Sequence, residues 1–256
     1  MSATTPSAGS NATPALRLKN IRKQFGGNIA IHDFSLDVMP GEIVALVGDN
    51  GAGKSTLIKM ISGVYAPTQG SIELGGQTNR FKDASDARKA GIEVVYQDLA
   101  LADSQSVYMN MFLGRELVKG PLRRLDKKRM IQETEALVKA LDVRIPSSLA
   151  PIRALSGGQR QAVAIARATH WAQRLVLMDE PTAALGVAET AKVEAMVSSL
   201  RERKLAIFVI SHNLEQVFRI ADRVCVLRRG VQVGIRKISE TSSEEVIAMI
   251  TGLQKS

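Results

Sequence analysis

The chain has 256 residues, with 34 Lys and Arg against 25 Asp and Glu for a formal charge of +9, and a mean hydropathy of +0.01. That length suits one large α/β domain or two small ones whose core needs no disulfide or metal. The single cysteine, Cys225, excludes an intramolecular disulfide framework and a multi-cysteine zinc site, and the absence of a long apolar run argues against a membrane-spanning helix. The surplus of cations points to a polyanionic partner (nucleic acid, acidic lipid or a phosphorylated ligand). An aromatic share of 4% leaves little material for the stacking platforms of single-strand nucleic-acid binders.

Residues 1–15 carry no charged side chain and, after Met1, no bulky apolar one, so they read as a disordered tail before a domain over 16–252; residues 253–256 form a second short tail. The start lacks the basic and apolar regions of a secretory signal, and a cytosolic chain is expected. From Leu16 the pattern is strand-like. Ile43 to Val47 has the length and β-branching of a buried strand. It runs into a glycine-rich turn and a helix over about Lys54 to Ser62, with Gly63 as C-cap. Further buried strands are expected at Val94 to Tyr96, Leu175 to Met178 and Ile207 to Ile210, with helices over Gly158 to Trp171 and Ala188 to Arg203 between them. Strands alternating with helices predict a mainly parallel sheet covered on both faces.

Residues 99–155 are more charged and show no strong strand, which predicts a helical insert. Its basic cluster, Arg123, Arg124, Lys127, Lys128 and Arg129, reads first as a solvated helix face. Ser242 to Glu245 is a capping-box pattern before a last helix stopped by Gly252. Cys225, within Val224 to Leu227, reads as core.

Three motifs carry chemistry. Gly48-Asp49-Asn50-Gly51-Ala52-Gly53-Lys54-Ser55-Thr56 matches G-x-x-x-x-G-K-[ST] at every fixed position, between a strand and a helix. Such a loop curls its N–H groups toward phosphate, and the helix start adds its positive end. Lys54 is placed to reach the β- and γ-phosphates and Ser55 to bind Mg²⁺; the bland alternative is a chance glycine-rich turn. Leu175 to Pro181 is a buried strand ending in Asp179 and Glu180. Asp179 suits the Mg²⁺ shell and Glu180 the attacking water, although an Asp-Glu pair after a strand also serves as a helix cap. Leu155-Ser156-Gly157-Gly158-Gln159 offers a second anion-binding helix start, or an ordinary N-cap.

In this order the motifs resemble the ATP-binding subunit of ABC transporters, over about residues 16–252. The resemblance implies a P-loop NTPase with a RecA-like, mainly parallel sheet, an antiparallel β subdomain and a helical subdomain over about 99–160, whose groove receives short helices of a permease. It also implies a head-to-tail pair of copies, each ATP lying between the phosphate loop of one and Ser156, Gly157, Gly158 and Gln159 of the other. On the same footing, Gln97 contacts Mg²⁺ and the attacking water, His212 contacts the γ-phosphate and holds Glu180, and Phe25 stacks on adenine. Without the resemblance Gln97 is a polar strand end, His212 an exposed histidine and Phe25 core. Gly186 stands where many family members carry an aspartate. The run from Glu180 to Val187 is similar to the ATPases of monosaccharide importers. This implies an ATPase with ATP and Mg²⁺ as cofactors, peripheral on the cytoplasmic face of the bacterial inner membrane. Its implied partners are transmembrane permease subunits and, indirectly, a secreted sugar-binding protein, with no nucleic acid expected. The alternative from a different class is a family ATPase acting on nucleic acid or ribosomes, motivated by the +9 charge.

Overall fold

The structure is a computed structural model that describes residues 12–253. The expected tails lie outside the described residues up to residue 11 and from residue 254. Ala15, assigned to the tail by composition, is packed: it is buried, its N–H donates to the Val38 carbonyl at 2.9 Å, and its own carbonyl accepts from the Gly75 N–H at 3.1 Å.

The chain begins with strands β1 (Leu16–Phe25), β2 (Asn28–Val38) and β3 (Ile43–Val47), then helix α1 (Lys54–Ile61). β4 (Gln69–Leu74), β5 (Gln77–Asn79), α2 (Ala84–Lys89) and β6 (Ile92–Val95) follow. The insert holds α3 (Val107–Met111), a short hairpin β7 (Val118–Lys119) and β8 (Arg124–Leu125), α4 (Lys127–Ala140) and the start of α5 (Gly157–Trp171). Then come β9 (Leu175–Asp179), α6 (Val187–Ser199), β10 (Ala206–Ile210), α7 (Leu214–Ile220), β11 (Arg223–Arg228), β12 (Val231–Lys237) and α8 (Ser243–Thr251).

Ten strands form one sheet in the order β5-β4-β1-β2-β12-β11-β3-β10-β9-β6. Strands β11, β3, β10, β9 and β6 run parallel to one another, and β11 pairs antiparallel with β12 on its other side; β1, β2, β4 and β5 pair antiparallel. The parallel strands show no apolar alternation because both faces are covered. Ile43, Ala45 and Val47 of β3 enter one core together with Val176 and Met178 of β9 and Ile207 and Val209 of β10. Val44 and Leu46, Leu175 and Leu177, and Phe208 and Ile210 enter the other. Two-residue periodicity thus sorts uniformly apolar strands onto two cores.

Several expected boundaries shift. The strand expected at Val94 to Tyr96 ends at Val95; it is an edge strand, half-covered, and Tyr96 is exposed. The α1 helix ends at Ile61, capped by Ser62, with Gly63 at φ +78° just after it. The helix expected to reach Arg203 tightens to a 3₁₀ turn at Leu200–Arg203. The insert does contain strands, since Val118 and Lys119 pair with Leu125 and Arg124. The basic cluster is therefore split, with Arg123 and Arg124 at the hairpin and Lys127 to Arg129 in the first turn of α4. Ser242 caps α8 by accepting from the Glu245 N–H, and the Glu245 carboxylate accepts from Arg236 and Thr241.

The surplus charge serves partly as internal struts. Arg223 donates to Glu42 and to the Asp37 carbonyl, tying β11 to the β2–β3 connection. Arg219 grips Glu194 with two bonds of 2.8 and 2.7 Å, joining α7 to α6.

Cys225 is fully buried on β11, and burial pushes its thiol up from 9.0 to about 12. An acid whose folded pKa is raised keeps its proton where the unfolded chain ionises. Its contribution to stability is therefore complete below pH 9.0 and is lost as pH rises toward about 12. The native protein at pH 8 should resist iodoacetamide and become alkylated only in denaturant, as read by mass spectrometry.

Candidate functional site

Four parallel strands build the site. In the order β3-β10-β9-β6 their C-terminal ends share one edge of the sheet. β3 delivers the loop Gly48 to Gly53, β10 delivers Ser211 and His212, β9 delivers Asp179 and Glu180, and β6 is followed by Gln97. Neighbouring strands lie about 4.8 Å apart, so residues distant in sequence meet across a few strand widths. This is the edge where open α/β sheets present ligand-binding groups.

A cavity of about 700 Å³ opens there, lined by Asn50, Gly51, Gly53, Lys54, Ser55, Thr56, Gln97, Asp179 and Glu180, with Phe25 at the end of β1. Gly48, Asp49 and Ala52 shape the loop without lining the cavity. The loop's path is fixed by what surrounds it. A Cβ at Gly48 would collide with the Leu227 carbonyl oxygen, and one at Gly53 would lie 2.6 Å from Ile31 Cδ1 and 2.8 Å from the Ala30 oxygen. The Gly230 N–H of the β11–β12 turn donates to the Ala52 carbonyl at 2.9 Å and braces the loop from behind. Gly53, at φ 107°, begins α1 with no side-chain cap. The helix start therefore offers N–H donors and a partial positive charge to an anion.

Lys54 is buried. Its Nζ donates to the carbonyls of Gly48 and Asp49 at 2.6 and 2.9 Å. Burial lowers its pKa, opposed by the charges of Glu180, Asp49 and Asp179. Burial raises the pKa of Asp179, the adjacent Glu180 raises it further, and Lys54 and Lys59 oppose the shift. Two carboxylates side by side with one buried ammonium leave a place that suits a divalent cation. Among the described residues no three His, Cys, Asp or Glu side chains converge as a metal cage. The donor set is instead a hydroxyl, an amide and carboxylates, the sparse set from which Mg²⁺ is held together with phosphate oxygens.

Glu180 has a left-handed backbone, φ 52°, pinned by its N–H bond to the Ile210 carbonyl at 2.9 Å. Non-glycine residues held there cluster at functional sites. His212 Nδ1 lies 3.1 Å from Glu180 Oε1. His212 itself does not line the cavity and meets it through Glu180. Gln97 is exposed at its rim. Phe25, 43% exposed, is not core.

Ser156, Gly158 and Gln159 do not join this cavity. They line a separate one of about 510 Å³ with Arg144 and Glu189. Ser156 forms a capping box with Gln159 at the start of α5, so the ordinary N-cap reading holds in the single chain. Ser156 Oγ also lies 3.2 Å from Glu189 Oε1, and a Cβ at Gly158 would meet that carboxylate at 2.9 Å. Gly186, at the start of α6, has open space where a Cβ would point.

Sequence reading missed Asn28 and Ile29, which line the main cavity from the start of β2, and Arg229, which lines it from the β11–β12 turn. The Arg229-Gly230 turn signal was legible; its return to the phosphate loop was not. Glu189 was missed for the same reason.

Residues 31–183 match the ABC transporter family. The chain belongs to that family. It is 44% identical over 236 residues to the xylose/arabinose import ATP-binding protein XylG of Sulfolobus acidocaldarius, covering 92% of this chain and 93% of that protein. It is 40% identical over 248 residues to the fructose import ATP-binding protein FrcA of Rhizobium meliloti, covering 94% and 95%. The ribose import ATP-binding protein RbsA 2 of Rubrobacter xylanophilus is 40% identical over 95% of this chain, which spans 47% of that protein. Among solved structures, the ATP-binding cassette MJ1267 of an ABC transporter superposes with a TM-score of 0.81 at 24% identity, over 92% of this chain and 98% of that one. The dimeric cassette MJ0796 bound to ADP and Pi gives 0.74 at 24% identity, over 87% and 98%. These likenesses establish the ABC cassette fold.

Proposed function

We propose that this chain is the ATP-hydrolysing subunit of a bacterial ABC importer for a monosaccharide. The observation that carries the reading is the row of four parallel strand ends holding Lys54, His212 with Glu180, Asp179 and Gln97 on one edge. The names of the 40–44% identical relatives support the sugar class.

Phosphoryl transfer to water needs positioning and charge neutralisation more than covalent chemistry. In this reading Lys54 leaves its two loop carbonyls to meet the β- and γ-phosphates. The α1 N–H groups hold the same anion, and Phe25 stacks on the base. Glu180 accepts a proton from the attacking water while His212 fixes its carboxylate. Ser55, Asp179 and Gln97 would hold Mg²⁺, which when bound supplies charge neutralisation at the β- and γ-oxygens. The Ser156–Gln159 segment, in its own cavity, serves the nucleotide of a second copy in a head-to-tail pair. The assembly lies on the cytoplasmic face of the bacterial inner membrane, against transmembrane permease subunits fed by a secreted sugar-binding protein. Among the described residues no helix is long and apolar enough to cross a membrane, in keeping with peripheral attachment.

The test is reconstitution of the chain with its permease in liposomes carrying the sugar-binding protein. ATP-dependent uptake of a labelled pentose or hexose is expected. ATP turnover indifferent to the permease, together with steeply salt-dependent binding to DNA or RNA at ~0.15 M salt, would overturn the reading in favour of the nucleic-acid alternative.

A further inference from the structure

We propose that Tyr65 is a positioning residue for the nucleotide base, acting through Phe25; the proposal rests on the reading of Phe25 as the adenine platform. Tyr65 does not line the ATP cavity. It stands beside Phe25, edge to face, with ring centroids 5.3 Å apart and planes at 75°. Lys23 Nζ lies 4.9 Å from the centre of the Phe25 ring and 5.5 Å from that of Tyr65, and donates to the Ala66 carbonyl at 2.7 Å.

This bracket is tied to the phosphate site through the backbone. The Tyr65 N–H donates to the Lys59 carbonyl at 3.0 Å, in the last turn of α1, the helix that begins at Lys54. The next residues are sewn to the end of β1: the Thr68 N–H donates to the Arg22 carbonyl at 2.8 Å, and the Gln24 N–H donates to Thr68 Oγ1 at 3.1 Å. The helix that offers the phosphate donors at its start therefore holds, through the Lys59 carbonyl of its last turn, the following loop that bears Tyr65.

Phe25 needs the brace because of its place. It sits at the last position of β1, opposite Asn28 across the Gly26-Gly27 turn, and is 43% exposed. Without a neighbouring ring, a side chain so exposed at a hairpin tip has several rotamers open to it, and binding a base would have to order it. An edge-to-face partner orders the ring beforehand and leaves surface free for a base.

The experiment is calorimetric titration of the full chain with MgATP and with magnesium tripolyphosphate, which has no base. Tyr65→Ala should weaken MgATP binding about three- to tenfold and leave tripolyphosphate binding unchanged. Tyr65→Phe should restore ATP binding. In a Phe25→Ala background Tyr65→Ala should add less than about twofold, because the two act as one unit. Equal weakening of both ligands by Tyr65→Ala would make its role structural support of α1 and overturn the proposal. So would unchanged MgATP binding in Tyr65→Ala alongside weakened binding in Phe25→Ala. Unchanged MgATP binding in Phe25→Ala would instead remove the platform reading itself, and the proposal with it.

Discussion

Glu180→Gln should cut ATP hydrolysis by about 10²- to 10⁴-fold, the usual worth of a positioned general base, while MgATP binding persists. The substitution keeps shape and backbone demands, so the left-handed turn at φ 52° and the contact near His212 Nδ1 remain available. What is lost is the capacity to accept the water's proton. With chemistry blocked, the ATP-bound pair of copies should accumulate, visible by light scattering as a monomer-to-dimer shift on adding MgATP. Single-turnover hydrolysis is the deciding measurement, because it bypasses product release. A near-normal single-turnover rate would refute the assigned role.

Lys54→Ala should weaken MgATP binding by about 10- to 100-fold, the range for losing hydrogen bonds to a charged group. Lys54→Arg should not rescue it. The ammonium fits between the Gly48 and Asp49 carbonyls at 2.6 and 2.9 Å, a place for a compact point charge rather than a planar fork. The nucleotide-free melting temperature should fall by no more than a few degrees, from loss of the two loop bonds that Lys54 makes to the Gly48 and Asp49 carbonyls. Titration calorimetry beside a thermal melt separates lost binding from lost fold. MgATP affinity within about twofold of the parent protein would contradict the phosphate role.

The parts of the site that were legible in the sequence are local ones. Gly48 to Thr56 announces its chemistry because strand, turn and helix follow one another without interruption, and their geometry is set within about a dozen residues. The same holds for the strand ending in Asp179 and for the Ser156 helix start. The insert's hairpin was not legible, since two residues per strand give no periodicity to read. Nor was the end of β6 at Val95, because an edge strand lacks the burial that would mark its limits.

The sequence by itself determined the fold class, the order of motifs and the residue types able to hold a phosphate. It could not determine which distant residues share a cavity. Long-range strand pairing, β3 beside β10 beside β9 beside β6, puts His212 against Glu180 and Gln97 at the same mouth, and strand order is written in no local pattern. Local pattern alone leaves Phe25 as core and Ser156 as an N-cap; the tertiary structure placed Phe25 at the rim, set Tyr65 beside it, and put Ser156 in a cavity separate from its own chain's phosphate loop. The reason is common to all three. Local propensity fixes backbone shape over a few residues, whereas contacts between elements depend on how two cores and one twisted sheet fill space together.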